Sequence, residues 1–447
     1  MEKRKAAGGR RVRIRVPRKE NSQSFGSLAH TVFSLLLRKQ KRKECSAYSH
    51  KVYTANRFVK YNFDEAFARS PFSCKWLDGK DGIIPMTVAD MDFPLMPEVC
   101  QAVKEAVDNR DFGYQFMQEH HYEAILNWIK NHAGDDVPRE HIIDTPGVLY
   151  TMRCSMYALT KPGDKIVIQT PLHTPSIKSA SMMGRIPMMN RLVYKDGQYT
   201  MDFDHLEQCF KDGAKVLMMC APNNPTGRVW TKQEMDTVAY LANKYNVYIV
   251  ADEIHRDILW NGVKHISPTA MDSIKDRSVG VISTSKTFNM GGFHIGTAII
   301  PNETIRQKVK DQIYAFGYSC GMPAVIDREA QTAAYTKGEV WYKEMLSYVE
   351  GNLDLALEYL DGLPITAKKP EGTFILWIDI QELGLDNDGL WNLMRNEWKV
   401  LGDPGSFYDT KDYLDYKGPE HHVRLNLATQ RKLVETAFDR IRKSFLA

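Results

Sequence analysis

The chain has 447 residues, 43% hydrophobic and 26% charged, with 59 Lys or Arg against 55 Asp or Glu and a formal net charge of +4. That length exceeds the ~250–300 residues at which a single hydrophobic core stops growing, so two domains are expected, and the composition suits a soluble globular enzyme. No apolar run approaches the ~20 residues that span a bilayer, which excludes a helical membrane span.

Seven cysteines, at 45, 74, 100, 154, 209, 220 and 320, are scattered without a CxxC pair or metal-type spacing. An odd, dispersed set reads as reduced thiols of a cytoplasmic protein, with no disulfide framework and no metal site.

Residues 1–58 hold 16 Lys or Arg against three acids, so the rest of the chain is mildly acidic. This basic extension is expected to be disordered. It can be read as a nucleic-acid or membrane-surface arm, a transit peptide, a dimer-wrapping arm, or a solvated or translated upstream tail, the last being favoured. Nucleic acid is not an expected partner, because no helix-turn-helix pattern accompanies the charge.

From Tyr61 the sequence becomes that of an enzyme body. Residues 83–97, with three prolines, predict an irregular crossing segment, and Met96-Pro97-Glu98 opens a helix through Val107. Between 141 and 301, apolar runs rich in β-branched residues at 165–169, 216–220, 247–251, 280–283 and 297–300 predict strands. A capping box at Thr231-Lys-Gln-Glu234 starts a helix to about Tyr245. Strand, helix, strand in that rhythm predicts an α/β fold with a parallel sheet flanked by helices. Beyond about 339 come a long helical pattern through Leu360, an alternating strand at 370–379, a helix at 389–398, a strand at 423–427 and a helix from about Lys432. These suit a smaller α+β domain. The expected organisation is 1–58 as extension, 59–100 with 350–447 as the small domain, and 101–349 as the large domain.

Three motifs follow apolar runs, at strand carboxyl ends where open α/β sheets hold ligands. They are PNNPTG at 222–227, ADEIH at 251–255 and STSKTFNMGG at 283–292. A lysine, an acid and an amide in these positions meet the needs of pyridoxal 5′-phosphate (PLP). Lys286 is the candidate for the covalent link and catalytic base. Asp252, costly at a buried strand end unless paired, faces the pyridine nitrogen. Asn224, held by the turn that Pro225 and Gly227 favour, donates to the ring oxygen. Ser283 and Ser285 offer hydroxyls to the phosphate, and the loop 145–149 can present backbone N–H groups to it at a helix N-terminus.

With these residues in hand, the sequence resembles the fold-type-I PLP enzymes of the aspartate aminotransferase superfamily, class I/II. More narrowly, it resembles the MalY/PatB branch of cystathionine β-lyases. The likeness covers about 60–447 and rests on KYNFDE at 60–65, VADMDF at 88–93, FGY at 112–114, the three motifs above, PEGTFILWID at 370–379 and VRLNLA at 423–428. It implies a large domain with a mostly parallel seven-stranded sheet and a smaller α+β domain. It also implies a homodimer in which Tyr114 reaches the neighbouring subunit's cofactor. Val148 and Leu149 match the backbone phosphate contacts, His255 a residue near the ring oxygen, and Arg424 the arginine that binds the substrate α-carboxylate.

The departures are His173, where the family usually stacks a tyrosine or phenylalanine on the ring, His294, where classical aminotransferases carry a phosphate-binding arginine, and residues 403–422, which match loosely. The implied activity is β-elimination on a small amino acid, L-cystathionine or a related cysteine S-conjugate. Lys286 removes the α-proton, a thiolate leaves the β-carbon, and pyruvate and ammonia follow. A class I/II aminotransferase shares the early steps and is the second reading. A regulator using the same fold is the third.

Overall fold

The computed structural model describes residues 60–67, 69–408 and 419–446. The basic extension and part of the divergent 403–422 segment lie outside these residues.

The central feature is a seven-stranded sheet. Its strands are β1 (Ile142–Thr145), β2 (Lys165–Thr170), β3 (Ile186–Arg191), β4 (Ala214–Cys220), β5 (Tyr248–Asp252), β6 (Ser278–Ile282) and β7 (Gly296–Ile299), in the order β1-β7-β6-β5-β4-β2-β3. The pairs from β6 to β3 are parallel, and β7 runs antiparallel to both β6 and β1. Alternation explains how both faces are covered. In β4, Leu217 and Met219 enter one buried cluster, whereas Val216, Met218 and Cys220 enter another on the opposite face. A strand buried on both faces reads as a continuous apolar run. That is why β4 to β6 were legible in the sequence.

Helices close both faces. α1 (Pro97–Asp108) starts on a proline, α2 (Glu119–Ala133) follows it, and α3 (Val148–Leu159) leaves the end of β1. α4 (Thr174–Met182) follows β2, and α5 (Lys232–Tyr245) joins β4 to β5. The predicted capping box of α5 is present: Thr231 Oγ1 accepts the Glu234 N–H at 3.2 Å, and Glu234 Oε2 accepts the Thr231 N–H at 2.8 Å.

A second sheet of four strands has the order β8-β9-β11-β10, from β8 (Thr366–Ala367), β9 (Ile375–Asp379), β10 (Asp403–Pro404) and β11 (His422–Asn426). It packs with α7 (Glu339–Leu360) and α8 (Arg431–Ser444) in a buried cluster that also takes in Ile142 of β1, Ile282 of β6 and Ile299 of β7, where α6 denotes the short Thr284–Thr287 helix of the site. Two expectations differ in detail. The strand predicted over 370–379 begins only at Ile375, because Thr373 sits at φ 72° and Gly372 bridges to Leu259 instead. The helix predicted over 389–398 is an α-helix over Asn387–Asn392 that widens into a π-helix over Leu393–Trp398. The wider turn brings Leu393 and Trp398, five apart, onto one buried face.

Candidate active site

Parallel pairing sets the geometry. Cys220 is the register partner of Asp252, and Asp252 that of Val281, so β4, β5 and β6 end at one edge. Neighbouring strands lie ~4.8 Å apart, so the segments that leave them converge on one cleft. The cleft encloses about 660 Å³ and is lined by Val148, Leu149, His173, Asn224, Asp252, His255, Lys286 and Arg424. Ser283, Ser285 and Tyr114 do not line it. Tyr114 is 100% exposed, with Phe112 and Phe116 exposed beside it.

Lys286 lies on α6, which Ser283 caps by accepting the Ser285 N–H at 3.0 Å. The Ser283 hydroxyl donates to Ile295 O at 2.8 Å, and Ser285 Oγ stands 2.6 Å from Ser283 Oγ. The Lys286 ammonium donates to Ala89 O at 2.8 Å and lies 3.6 Å from Asp90 Oδ1. Burial lowers its pKa, and the Asp90 carboxylate opposes that shift.

The turn that presents the Ala89 carbonyl is strained, and hydrogen bonds on either side of Ala89 impose it. Val88, a β-branched residue, adopts φ 42°, a costly left-handed conformation. Asn426 Nδ2 donates to Val88 O at 2.7 Å and to Asp90 O at 2.6 Å, clamping the turn from β11.

Asp252 accepts the Ile254 N–H on Oδ1 at 3.1 Å, and burial raises its pKa to about 6. A carboxyl so raised favours a cationic partner, which would restore its charge. His255, 1% exposed, has its pKa driven well down by burial, with Lys286 and Arg424 adding to the shift. Its Nδ1 has no hydrogen-bond partner among the described residues. An orphaned buried nitrogen calls for a ligand atom. Burial, then Arg424 and Lys286, push His173 down to about 4, so its imidazole is a neutral ring at physiological pH.

Asn224 is positioned by its turn. Asn223 Oδ1 accepts from Thr226 N and Oγ1, and the Gly227 N–H donates to Asn223 O at 2.8 Å. Gly227 has φ 71°, and a Cβ there would stand 2.4 Å from Pro370 Cβ, so only glycine fits. Arg424 Nη1 donates to Asn224 Oδ1 at 3.0 Å, leaving the amide's N–H donors for another acceptor. The Arg424 Nη2 pairs with Asp403 Oδ2.

The donor set fits PLP. α3 starts at Val148 after Gly147, with no side chain capping its first N–H groups, which suits a phosphate. Asp252 suits a pyridinium, Asn224 and His255 a ring oxygen, His173 a ring face, and Lys286 an aldehyde carbon.

Four cleft features escaped the sequence: the Ala89 carbonyl, Asp403, Tyr408 and Lys178. VADMDF signalled that its segment mattered, but nothing local signals the strained carbonyl. The six cysteines among the described residues are free, and no group of metal-ligating side chains occurs among those residues. No helix there is long and apolar enough to cross a membrane.

The model of the family described as aminotransferase class I and II matches residues 81–441. Cystathionine beta-lyase PatB of Bacillus subtilis (strain 168) is 33% identical over 391 residues, covering 85% of this chain and 99% of that protein. Aromatic-amino-acid aminotransferase 2 of Thermococcus litoralis is 26% identical, covering 82% of this chain and 92% of that protein. Among solved structures, cystalysin from Treponema denticola, which contains pyridoxal 5′-phosphate, superposes with a TM-score of 0.80. It is 27% identical and the match covers 86% of this chain and 98% of that one.

Proposed function

We propose, from the premise that this chain belongs to the aminotransferase class I and II family, that it is a PLP-dependent carbon–sulfur β-lyase. Its substrate in this reading is L-cystathionine or a related cysteine S-conjugate, cleaved with water to a thiol, pyruvate and ammonia. The observation that carries the reading is the convergence of Lys286, Asp252, Asn224, His255 and Arg424 on one cleft, in a chain 33% identical to a cystathionine β-lyase over nearly all of that protein.

The bound cofactor supplies an electron-withdrawing ring that acidifies the substrate's α-proton. The chain's own residues do the rest. Asp252 would pair as a carboxylate with the cofactor's pyridine nitrogen and favour its protonated form. Asn224 and His255 would serve the ring oxygen, and His173, a neutral imidazole, would pack against the ring. Val148 and Leu149, which line the cleft, would offer backbone N–H groups to the phosphate, whereas Ser283 and Ser285 stand behind the wall and support α6. Arg424 holds the α-carboxylate through its planar fork.

Lys286 takes the α-proton. Its lowered pKa raises the share of neutral amine available as a base, and the Ala89 carbonyl receives its N–H when it rests.

The same reading assigns 101–349 to a large domain and 59–100 with 350–447 to a small one. Lys286, Asp252 and Asn224 then meet Ala89 and Arg424 across their join. It takes the active unit as a homodimer, supported by the exposed Phe112, Tyr114 and Phe116 on one loop. It takes the setting as cytoplasmic, supported by the free cysteines.

Incubation of purified protein with L-cystathionine tests the activity. Pyruvate and homocysteine are expected without any keto acid. Strict dependence on a keto-acid acceptor would overturn the lyase and leave the aminotransferase reading.

A further inference from the structure

Arg424 enters the cleft already paired. Strand register forces the pairing: Asp403 of β10 lies directly opposite Arg424 of β11, and directly opposed residues of an antiparallel pair project to the same face. Both residues are buried, at 7% exposure each, and both line the cleft beside Asn224 and Lys286. One arginine charge therefore meets one carboxylate of the chain itself, and Nη1 is also committed to Asn224. The remaining cations of the cleft wall, Lys286 and Lys178, come from α6 and α4 on the other sheet.

We infer that Asp403 is a specificity-determining residue, an internal counter-ion that the substrate's α-carboxylate must displace or share. It admits amino acids with one carboxylate near the reacting carbon and turns away those with a second carboxylate one or two carbons further on. The inference rests on Arg424 as the carboxylate anchor of the reading above, and deepens it.

Two consequences follow from charge alone. A monocarboxylate binds more weakly than it would to an unpaired arginine, because Asp403 competes for the same N–H groups. A dicarboxylate meets Asp403 as a like charge in a site shielded from water, where such juxtaposition is costly. An amino acid with a neutral thioether side chain meets only the first of these penalties.

The test uses the cofactor-loaded enzyme and probes that cannot react further, 2-methylalanine and 2-methylaspartate, which carry no α-proton. Binding is followed by the visible absorption of the cofactor, so it does not depend on lyase activity. Wild-type protein is expected to bind 2-methylalanine at least roughly tenfold more tightly than 2-methylaspartate. Asp403→Asn is expected to tighten both and to narrow that ratio, while Asp403→Glu keeps the wild-type pattern. Equal affinity of the wild type for the two probes would overturn the inference without any variant being made. So would an Asp403→Asn protein with an unchanged melting temperature that binds 2-methylalanine no more tightly. Failure of cystathionine cleavage with the probe pattern intact would count against the lyase reading alone.

Discussion

Arg424 Nη1 donates to Asn224 Oδ1 across 3.0 Å, tying β11 of the four-stranded sheet to the turn that follows β4 of the seven-stranded one. The bond has a chemical consequence. It engages the oxygen end of the Asn224 amide, so the amide can offer the cleft only N–H.

Asn224→Ala therefore removes a donor to the cofactor's ring oxygen and leaves one Arg424 N–H without its acceptor. Losing a buried hydrogen bond of this kind costs about 1–3 kcal/mol, or roughly ten- to hundredfold in kcat/KM for L-cystathionine. The cofactor's visible absorption should change its pH dependence in parallel. Steady-state kinetics and a spectrophotometric pH titration check both.

Lys286→Ala should abolish the borohydride-reducible cofactor adduct, read by mass spectrometry of the intact protein. It should also lower turnover by at least the ~10²–10⁴-fold typical of a lost general base. Retention of the adduct would place the covalent link elsewhere.

The Asp252 carboxyl yields a pH prediction for the cofactor-free protein. Its folded pKa is raised from 3.8 to about 6 by burial. A raised pKa means that the folded state binds the proton more tightly than the unfolded one. Its contribution to stability is present below pH 3.8 and is lost as pH rises through 6. Asp252→Asn removes that loss. The variant should gain on the order of 2 kcal/mol relative to wild type between pH 4 and pH 8, as about two pKa units imply. Urea unfolding at the two pH values measures it. Cofactor loading should reverse the order, because only the carboxylate pairs with a pyridinium.

Arg424→Lys keeps the charge but loses the fork. It should raise KM for L-cystathionine by roughly tenfold with a smaller effect on kcat, because bidentate carboxylate recognition needs the planar guanidinium. Separate determination of KM and kcat decides it.

Gly280→Ala probes the support beneath the site. A Cβ there would stand 2.8 Å from Glu253 Oε1 and 3.1 Å from Thr269 Cγ2. Glu253 is fully buried and accepts from Ser267 Oγ at 2.7 Å and Arg256 Nη1 at 3.2 Å, with His265 Nε2 at 3.0 Å, so it cannot move freely. Overpacking should cost about 1–3 kcal/mol in urea unfolding.

Much of this site was legible before any fold. Lys286, Asp252 and Asn224 each follow an apolar run, and a run covered on both faces can only be an interior strand. The Thr231 capping box marked the helix between two of those strands for an equally local reason. Less was legible where conformation is imposed from a distance. Thr373 at φ 72° shortens the strand predicted over 370–379, because the backbone there follows a bridge from Gly372 to Leu259.

The sequence by itself determined which chemistry stands at the strand ends: an amine, an acid and an amide, written in residue types and turn signals that act within a few positions. Only the tertiary structure decided how that chemistry is tuned. Ala89 meets Lys286 because Asn426 clamps a strained turn, and Asp403 meets Arg424 because two strands pair in one register. Register and burial are properties of surfaces brought together from distant parts of the chain, and no local pattern records them.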